Sequence, residues 1–154
     1  MLHYRSLGLP THTVIAGSWA LLGAKVPRDA TVAQKLRAAG AILLGKTSLS
    51  QWANFRSFNT TNGWSARGGQ VYSPYFPEGD PEGSSSGSSV ATAYVRNLEL
   101  KSGADLNRLG MALGSLGTDT DCSITLPASS NNLVGIRPSM YIFSLNFMLF
   151  TQLI

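Results

Sequence analysis

Two short segments rich in glycine and serine constrain this chain more than any other feature. Residues 83–89 read GSSSGSS (the serine loop), and residues 117–124 read GTDTDCSI (the aspartate turn). An isolated segment of the first kind is usually a flexible linker, and one of the second kind a polar turn. Here the small residues 90–93 (VATA) can begin a tightly packed helix, and residues 112–117 (ALGSLG) are typical of a strand. The pattern therefore favours two tight turns that join regular elements of a packed domain.

The remaining patterns predict an α/β architecture. Asp29 is a candidate cap for a helix over residues 30–39, which Gly40 would end. The apolar run 41–44 predicts a buried strand, and Thr47 or Ser48 can cap a second short helix through residue 53. A helix is predicted within residues 88–94, and a further strand over residues 133–136. Helices alternating with short apolar strands indicate the α/β class.

Composition excludes several functional classes. The 154 residues suit one domain, with 44% hydrophobic and 13% charged residues, and the net charge of +4 is scattered. No basic run interleaved with aromatics suggests a nucleic-acid surface. The single cysteine, Cys122, excludes a disulfide framework and a metal site of several cysteines. Without a secretory signal or an apolar run of roughly 20 residues, the chain is expected to be cytoplasmic, without a membrane partner.

Residues 40–47 (GAILLGKT) match the phosphate-binding pattern G-x-x-x-x-G-K-[ST]. Such a loop must curl so that its backbone N–H groups surround phosphate oxygens. Its four variable positions are here apolar and suit a strand better, and no strand pattern precedes Gly40. A nucleotide site that uses Lys46 therefore remains only a third alternative, and Lys46 is otherwise structural or solvated.

Ser123 is the candidate nucleophile of the aspartate turn, because backbone amides just before it could converge on an oxyanion. A serine needs a base. The two histidines, His3 and His12, lie in a poorly patterned beginning, and no G-x-S-x-G elbow surrounds Ser123. The residues thus point away from a Ser-His-Asp enzyme and towards a base other than histidine.

Five segments, in this order, resemble the amidase signature family, and among its members most closely the fungal-type amidases, which are related to the A subunit of glutamyl-tRNA amidotransferase. They are residues 16–23, 45–50, 83–89, 117–124 and 135–138, which read AGSWALLG, GKTSLS, GSSSGSS, GTDTDCSI and GIRP. The resemblance implies a hydrolase of carboxamide C–N bonds with a small-molecule amide substrate and no metal or organic cofactor. It also implies the α/β fold of that family, a mixed β-sheet covered by helices, present here in part and incomplete at both ends. The oligomeric state is left open.

In that family a Ser-Ser-Lys triad replaces histidine. By position the resemblance makes Ser123 the acylating nucleophile and Ser85 the bridging serine, typically on a cis peptide. The backbone N–H groups of Thr120, Asp121 and Cys122, together with that of Ser123, would form the oxyanion hole. A buried lysine with a lowered pKa would act as the base.

The chain departs from the family pattern in several places. No lysine precedes Lys25, although the family's catalytic lysine lies shortly before the segment that matches residues 16–18. The spacing between Ser85 and Ser123 is wide, which predicts a non-family insertion over 94–111. The resemblance covers about residues 15–138, so residues 140–154 are predicted to be a non-family tail of a partial amidase domain spanning 1–154. Smaller departures are Asp121-Cys122, where many members have two glycines, and Thr125, where many have arginine.

Two functional hypotheses follow. The first is an amidase-type hydrolase that works through a serine acyl-enzyme and is present as an incomplete portion. The alternative is a catalytically inactive fragment or pseudoenzyme that lacks the general-base lysine. The degenerate code would also allow the insertion and the tail to be translated intron sequence.

Overall fold

The computed structural model describes residues 16–24, 29–100, 112–139 and 148–151, with the backbone alone for 94–100 and 148–151. The helices and strands, in chain order, are α1 (Thr31–Ala38), β1 (Trp64–Ser65), β2 (Gly69–Gln70), α2 (Ser86–Leu100), β3 (Gly114–Gly117), α3 (Thr125–Ser130), β4 (Val134–Ile136) and β5 (Met148–Thr151). There are also two 3-10 turns: Trp19–Leu21 precedes α1, and Gln51–Asn54 lies between α1 and β1.

Helix α1 confirms the helix predicted over 30–39, with both ends slightly inside those bounds. Gly40 ends it as predicted, with a φ of +87° that glycine adopts without steric cost. The prediction that Asp29 caps the helix is wrong: Ala30 occupies the cap position and no side chain caps it. The Asp29 carboxylate instead accepts a hydrogen bond from Arg37 at 3.2 Å, and this ion pair takes the carboxylate away from the helix end.

The buried strand predicted at 41–44 is wrong. Residues 41–49 form no strand, and the side chains of Ile42 and Leu44 are 81% and 68% exposed. A strand needs a neighbouring backbone to complete its hydrogen bonds, and none of the described strands lies beside this segment.

The second predicted helix, through residue 53, is a 3-10 turn that begins later, at Gln51, without a side-chain cap. Trp52 and Ala53 have positive φ values, which an α-helix does not allow. The segment is held by other parts of the chain, because Ser50 N–H donates to Ser84 C=O at 2.9 Å and Trp52 N–H donates to Ala16 C=O at 2.9 Å. Tertiary hydrogen bonds thus override the local helical pattern here.

The main sheet has the strand order β3-β5-β4, with β5 antiparallel to both neighbours. Helix α2 packs on β3 and β5, and α3 packs on β4. The strands predicted within 112–117 and 133–136 are confirmed as the shorter β3 and β4, and the helix predicted within 88–94 is confirmed as part of α2. The predicted α/β class is confirmed.

A small apolar cluster joins α3 to β4. Ile124 and Ala128 are buried, and Leu133 packs against them. Gly135 permits this close approach, because a Cβ atom there would lie 2.8 Å from Ala128 Cβ. The cluster places α3, and so the end of the aspartate turn, firmly against the sheet.

Polar side chains otherwise fill much of the interior. Among the described residues, seven buried side chains are hydrophobic and twelve are polar or charged, mostly serines. Burying such groups is costly unless they are hydrogen-bonded. The packing around the serine loop therefore depends on hydrogen bonds more than on apolar area.

Replacing Gly87 by alanine is expected to destabilise the chain by about 1–3 kcal/mol, the usual cost of overpacking. Gly87 N–H donates to Ser48 C=O at 3.0 Å. An added Cβ would overlap the Ser48 carbonyl oxygen and lie 2.8 Å from Ser48 N. Gly45→Ala is the matched control, because nothing lies within 4 Å of a Cβ at Gly45. Equal free energies of unfolding in urea for the two variants would contradict this close packing.

None of the helices in the described ranges is long and apolar enough to cross a lipid bilayer. The cytoplasmic location stays a prediction.

Candidate active site

The serine loop and the aspartate turn lie against each other. Ser85 N–H donates to Ser123 C=O at 3.1 Å. The Ser85 hydroxyl donates to Thr118 C=O and accepts from Thr118 N–H, both at 3.2 Å. The fold thus brings together two segments that lie far apart in the chain, and Ser85 is the contact between them.

The beginning of the serine loop is packed closely against residues 50–62. The Gly83–Ser84 peptide bond is cis. A Cβ atom at Gly83 would lie 2.6 Å from Asn62 Oδ1 and 2.7 Å from Ser50 Oγ. Only glycine fits this position without a shift of its neighbours.

Ser84 differs from the other serines of the loop. Ser85 is bound to Thr118, Ser86 Oγ donates to Glu82 C=O, Ser88 Oγ donates to Leu116 C=O at 2.8 Å, and Ser89 Oγ donates to Ser86 C=O at 3.0 Å. Ser84 is 1% exposed, and its Oγ has no hydrogen-bond partner within the described part of the chain. A buried hydroxyl without a partner is uncommon and marks a position where a reacting group could be engaged. The sequence did not single out Ser84, because nothing in the run GSSSGSS distinguishes its three consecutive serines.

The aspartate turn is organised by the carboxylate of Asp119, which is 3% exposed. Its Oδ2 accepts from Ile124 N–H at 2.9 Å and from Thr125 N–H at 3.3 Å, at the start of α3. Its Oδ1 accepts from Arg137 NH1 at 3.2 Å. The carboxylate therefore ties both ends of the turn to one point, and Ser123 lies inside the closed turn.

The oxyanion hole predicted from the sequence consists of the backbone N–H groups of residues 120–123. In the ranges that the structure describes, the N–H groups of Thr120, Asp121, Cys122 and Ser123 donate to no acceptor, and the Ser123 hydroxyl makes no hydrogen bond. These four successive N–H groups belong to the same turn as the half-buried Ser123. The Ser85 N–H group joins this turn to the serine loop through Ser123 C=O, and Ser84 precedes Ser85 in the chain.

A family model described as Amidase matches residues 10–152, nearly the whole chain. The chain belongs to the amidase family. This confirms the resemblance to the amidase signature that the five sequence segments indicated.

Relatives within the amidase family come from plants and bacteria alike. A probable amidase of Arabidopsis thaliana is 49% identical over 125 residues, which are 81% of this chain and 22% of that protein. The A subunit of the glutamyl-tRNA(Gln) amidotransferase of a Synechococcus strain is 38% identical over 113 residues, 73% of this chain and 19% of that protein. The native peptide amidase of Stenotrophomonas maltophilia superimposes with a TM-score of 0.77 at 37% identity, over 97% of this chain and 29% of that structure.

The chain spans about a fifth of the length of the curated amidase relatives that it matches. Its predicted insertion over 94–111 and its predicted tail over 140–154 stay predictions, and residues 101–111, 140–147 and 152–154 lie outside the described residues. Within those segments, α2 continues to Leu100 and β5 pairs with both β3 and β4.

Cys122 precedes Ser123 in the aspartate turn, and its thiol has a raised pKa. Partial burial raises the pKa of the Cys122 thiol, and the negative charges of Asp121 and Asp119 raise it further, while Arg137 acts in the opposite direction. A thiol with a raised pKa is protonated at neutral pH, and the protonated form is a poor nucleophile.

The alternative nucleotide site at residues 40–47 has no support in this amidase fold. A phosphate-binding loop leads into a helix, but residues 41–49 contain neither a helix nor a turn. Thr47 Oγ1 lies 2.7 Å from Ser88 Oγ and is engaged with α2. Within the described part of the chain, no three histidine, cysteine or acidic side chains are grouped to hold a metal.

Proposed function

We propose that this site hydrolyses carboxamide C–N bonds through an acyl-enzyme on Ser123. The observation that carries the proposal is the row of unpaired N–H groups at residues 120–123 beside the unpaired Ser123 hydroxyl. Such N–H groups stabilise a tetrahedral oxyanion, and removing one such donor typically costs on the order of 10²–10³ in rate.

The hydroxyl that relays the proton from Ser123 is, in this proposal, that of Ser84. The sequence assigned this role to Ser85 by position, but the Ser85 hydroxyl already donates to and accepts from the Thr118 backbone. Ser84 Oγ is buried and unpaired among the described residues, so it can exchange a proton without breaking a structural bond. Ser85 then serves to hold the serine loop against the aspartate turn.

The proposed reaction has two steps. Ser123 Oγ adds to the amide carbon and gives its proton to Ser84 Oγ, while Ser84 gives its own proton to the amide nitrogen. The carbonyl oxygen takes up negative charge at the N–H groups of residues 120–123. The C–N bond then breaks, the amine leaves with a proton, and a water molecule hydrolyses the ester to free the acid and restore the Ser123 hydroxyl. The substrate class is a small-molecule carboxamide.

The final proton acceptor in a Ser-Ser-Lys mechanism is a lysine before the segment that matches residues 16–18, and residues 1–24 contain none. The experiment must therefore also distinguish an active chain from the catalytically inactive alternative.

Intact-mass analysis after treatment with a fluorophosphonate probe should show one adduct on the full chain. Ser123→Ala should abolish the adduct, whereas Ser129→Ala, at an exposed serine of α3, should not. A folded chain that forms no adduct would instead support the inactive alternative.

A further inference from the structure

Resting on this proposed function, we propose that Arg137 is a positioning residue that aims the backbone N–H groups of Asp121 and Cys122 at the oxyanion. Arg137 follows β4 and lies outside the aspartate turn, yet one of its nitrogens reaches into the turn at several points. None of its hydrogen bonds to described residues reaches Ser123, so Arg137 acts through the peptide groups that it holds.

Among the described residues, a single nitrogen, NH1, makes the hydrogen bonds of Arg137 to the turn. It donates to Asp121 C=O at 2.8 Å, to Thr120 C=O at 3.3 Å and to Asp119 Oδ1 at 3.2 Å. The two carbonyl groups are consecutive, so Arg137 fixes two successive peptide units from the same side.

The geometry of the peptide group then decides where the N–H groups point. In a planar trans peptide the N–H bond points opposite to the C=O bond of the same unit. Thr120 C=O shares a peptide with Asp121 N–H, and Asp121 C=O shares one with Cys122 N–H, and both bonds are trans. Because both carbonyl groups face Arg137, both N–H groups face away from it, and neither donates to a described residue.

The guanidinium charge also strengthens these donors. A cation at a carbonyl oxygen polarises the whole peptide unit, so that the N–H group of that unit becomes a better donor. Asp119 balances the charge, since its carboxylate pairs with the same NH1 atom and holds the far end of the turn through Ile124 and Thr125. Asp119 can close the turn without Arg137, but no other described side chain binds the carbonyl oxygens of Thr120 and Asp121.

The Arg137 side chain is 44% exposed, so water can fill the space left when it is shortened, and the substituted chain should fold. The variants are Arg137→Met, which removes the donor and the charge, and Arg137→Lys, whose single ammonium can replace NH1. Arg37→Met is the matched control, because Arg37 donates to an aspartate at the same 3.2 Å but on helix α1. Should Arg137→Met fail to fold in a thermal melt, Arg137→Gln takes its place with the same expectations.

Two readouts separate this proposal from the proposed function. Cysteine labelled with ¹⁵N gives a single amide resonance, from Cys122, because the chain has one cysteine. We expect this resonance to move in Arg137→Met and to stay near its original position in Arg137→Lys and Arg37→Met. The rate constant for fluorophosphonate labelling of Ser123 should fall on the order of 10²-fold in Arg137→Met, largely recover in Arg137→Lys and remain unchanged in Arg37→Met.

An unchanged Cys122 resonance and labelling rate in Arg137→Met would overturn the proposal. The proposal would also be overturned if Arg137→Met slows the labelling of Ser123 without moving the Cys122 resonance, and Arg137→Lys does not restore the labelling rate. If the unsubstituted chain is not labelled, the proposed hydrolysis fails, and the Cys122 resonance alone decides whether Arg137 orients these peptides.

Discussion

Asn131→Asp is expected to lower the free energy of unfolding by about 3–5 kcal/mol at neutral pH, the usual cost of leaving a buried charge uncompensated. Asn131 is fully buried, and its Nδ2 donates to Pro127 C=O at 2.9 Å, Ser89 Oγ at 3.0 Å and Pro81 C=O at 3.2 Å. Its Oδ1 accepts from Ser73 Oγ at 3.2 Å. One side chain thus joins the segment before the serine loop, helix α2 and helix α3.

The substitution keeps the shape of the side chain but turns its donor into an acceptor. A carboxylate oxygen would face the carbonyl oxygens of Pro81 and Pro127, with no proton between them unless the acid is protonated. The loss should therefore be smaller near pH 4, where an unfolded aspartate, with a pKa of about 3.9, is itself half protonated. It should grow as the pH rises, because folding then requires either a proton or a buried charge.

Urea unfolding at several pH values measures this effect. Asn59→Asp is the control, because Asn59 is exposed and its backbone N–H, rather than its side chain, donates to Ser57 Oγ at 3.0 Å. Equal, pH-independent losses in the two variants would show that the Asn131 network does not hold the three segments together.

Ser84→Ala is expected mainly to slow the labelling of Ser123, whereas Ser85→Ala is expected mainly to destabilise the fold. Ser84→Ala should slow the labelling of Ser123 on the order of 10²–10⁴-fold, the usual contribution of a positioned proton-transfer group. It should not destabilise the chain, because it removes a buried hydroxyl that has no partner among the described residues.

Ser85→Ala should destabilise the chain by about 1–3 kcal/mol, because it leaves the N–H and C=O groups of Thr118 without their partner. Its effect on the labelling rate should be the smaller of the two. The rate constant for labelling and the urea midpoint, measured on both variants, give the comparison. A large loss of labelling rate in Ser85→Ala, with a normal rate in Ser84→Ala, would show that Ser85 relays the proton from Ser123, as the sequence pattern favoured.

Several elements could be predicted because their cause is local. Gly40 ends α1 because glycine adopts the positive φ found there, and the small residues 90–93 lie in α2 as their helix-compatible pattern indicated. The prediction of a strand at the apolar run 41–44 was wrong because the formation of a strand does not depend on local sequence alone. The composition of this run suits a strand, but strand formation depends on a neighbouring backbone that lies beyond the segment itself.

The family, the α/β class and the two segments that form the candidate site could be predicted, because they follow from residue types and their order along the chain. Which hydroxyl of the serine loop is unpaired, and which way the peptides of the aspartate turn face, depends on how the chain folds. Ser84, Ser85 and Ser86 are chemically identical and differ only in the partner of the hydroxyl group. That of Ser85 binds Thr118, that of Ser86 binds Glu82, and that of Ser84 has no partner among the described residues. The direction of the Asp121 and Cys122 N–H groups likewise depends on Arg137, which follows β4 in the chain and meets the turn only in the folded structure. The residue type fixes which hydrogen bonds a group can make, whereas the fold decides which neighbours are close enough to make them.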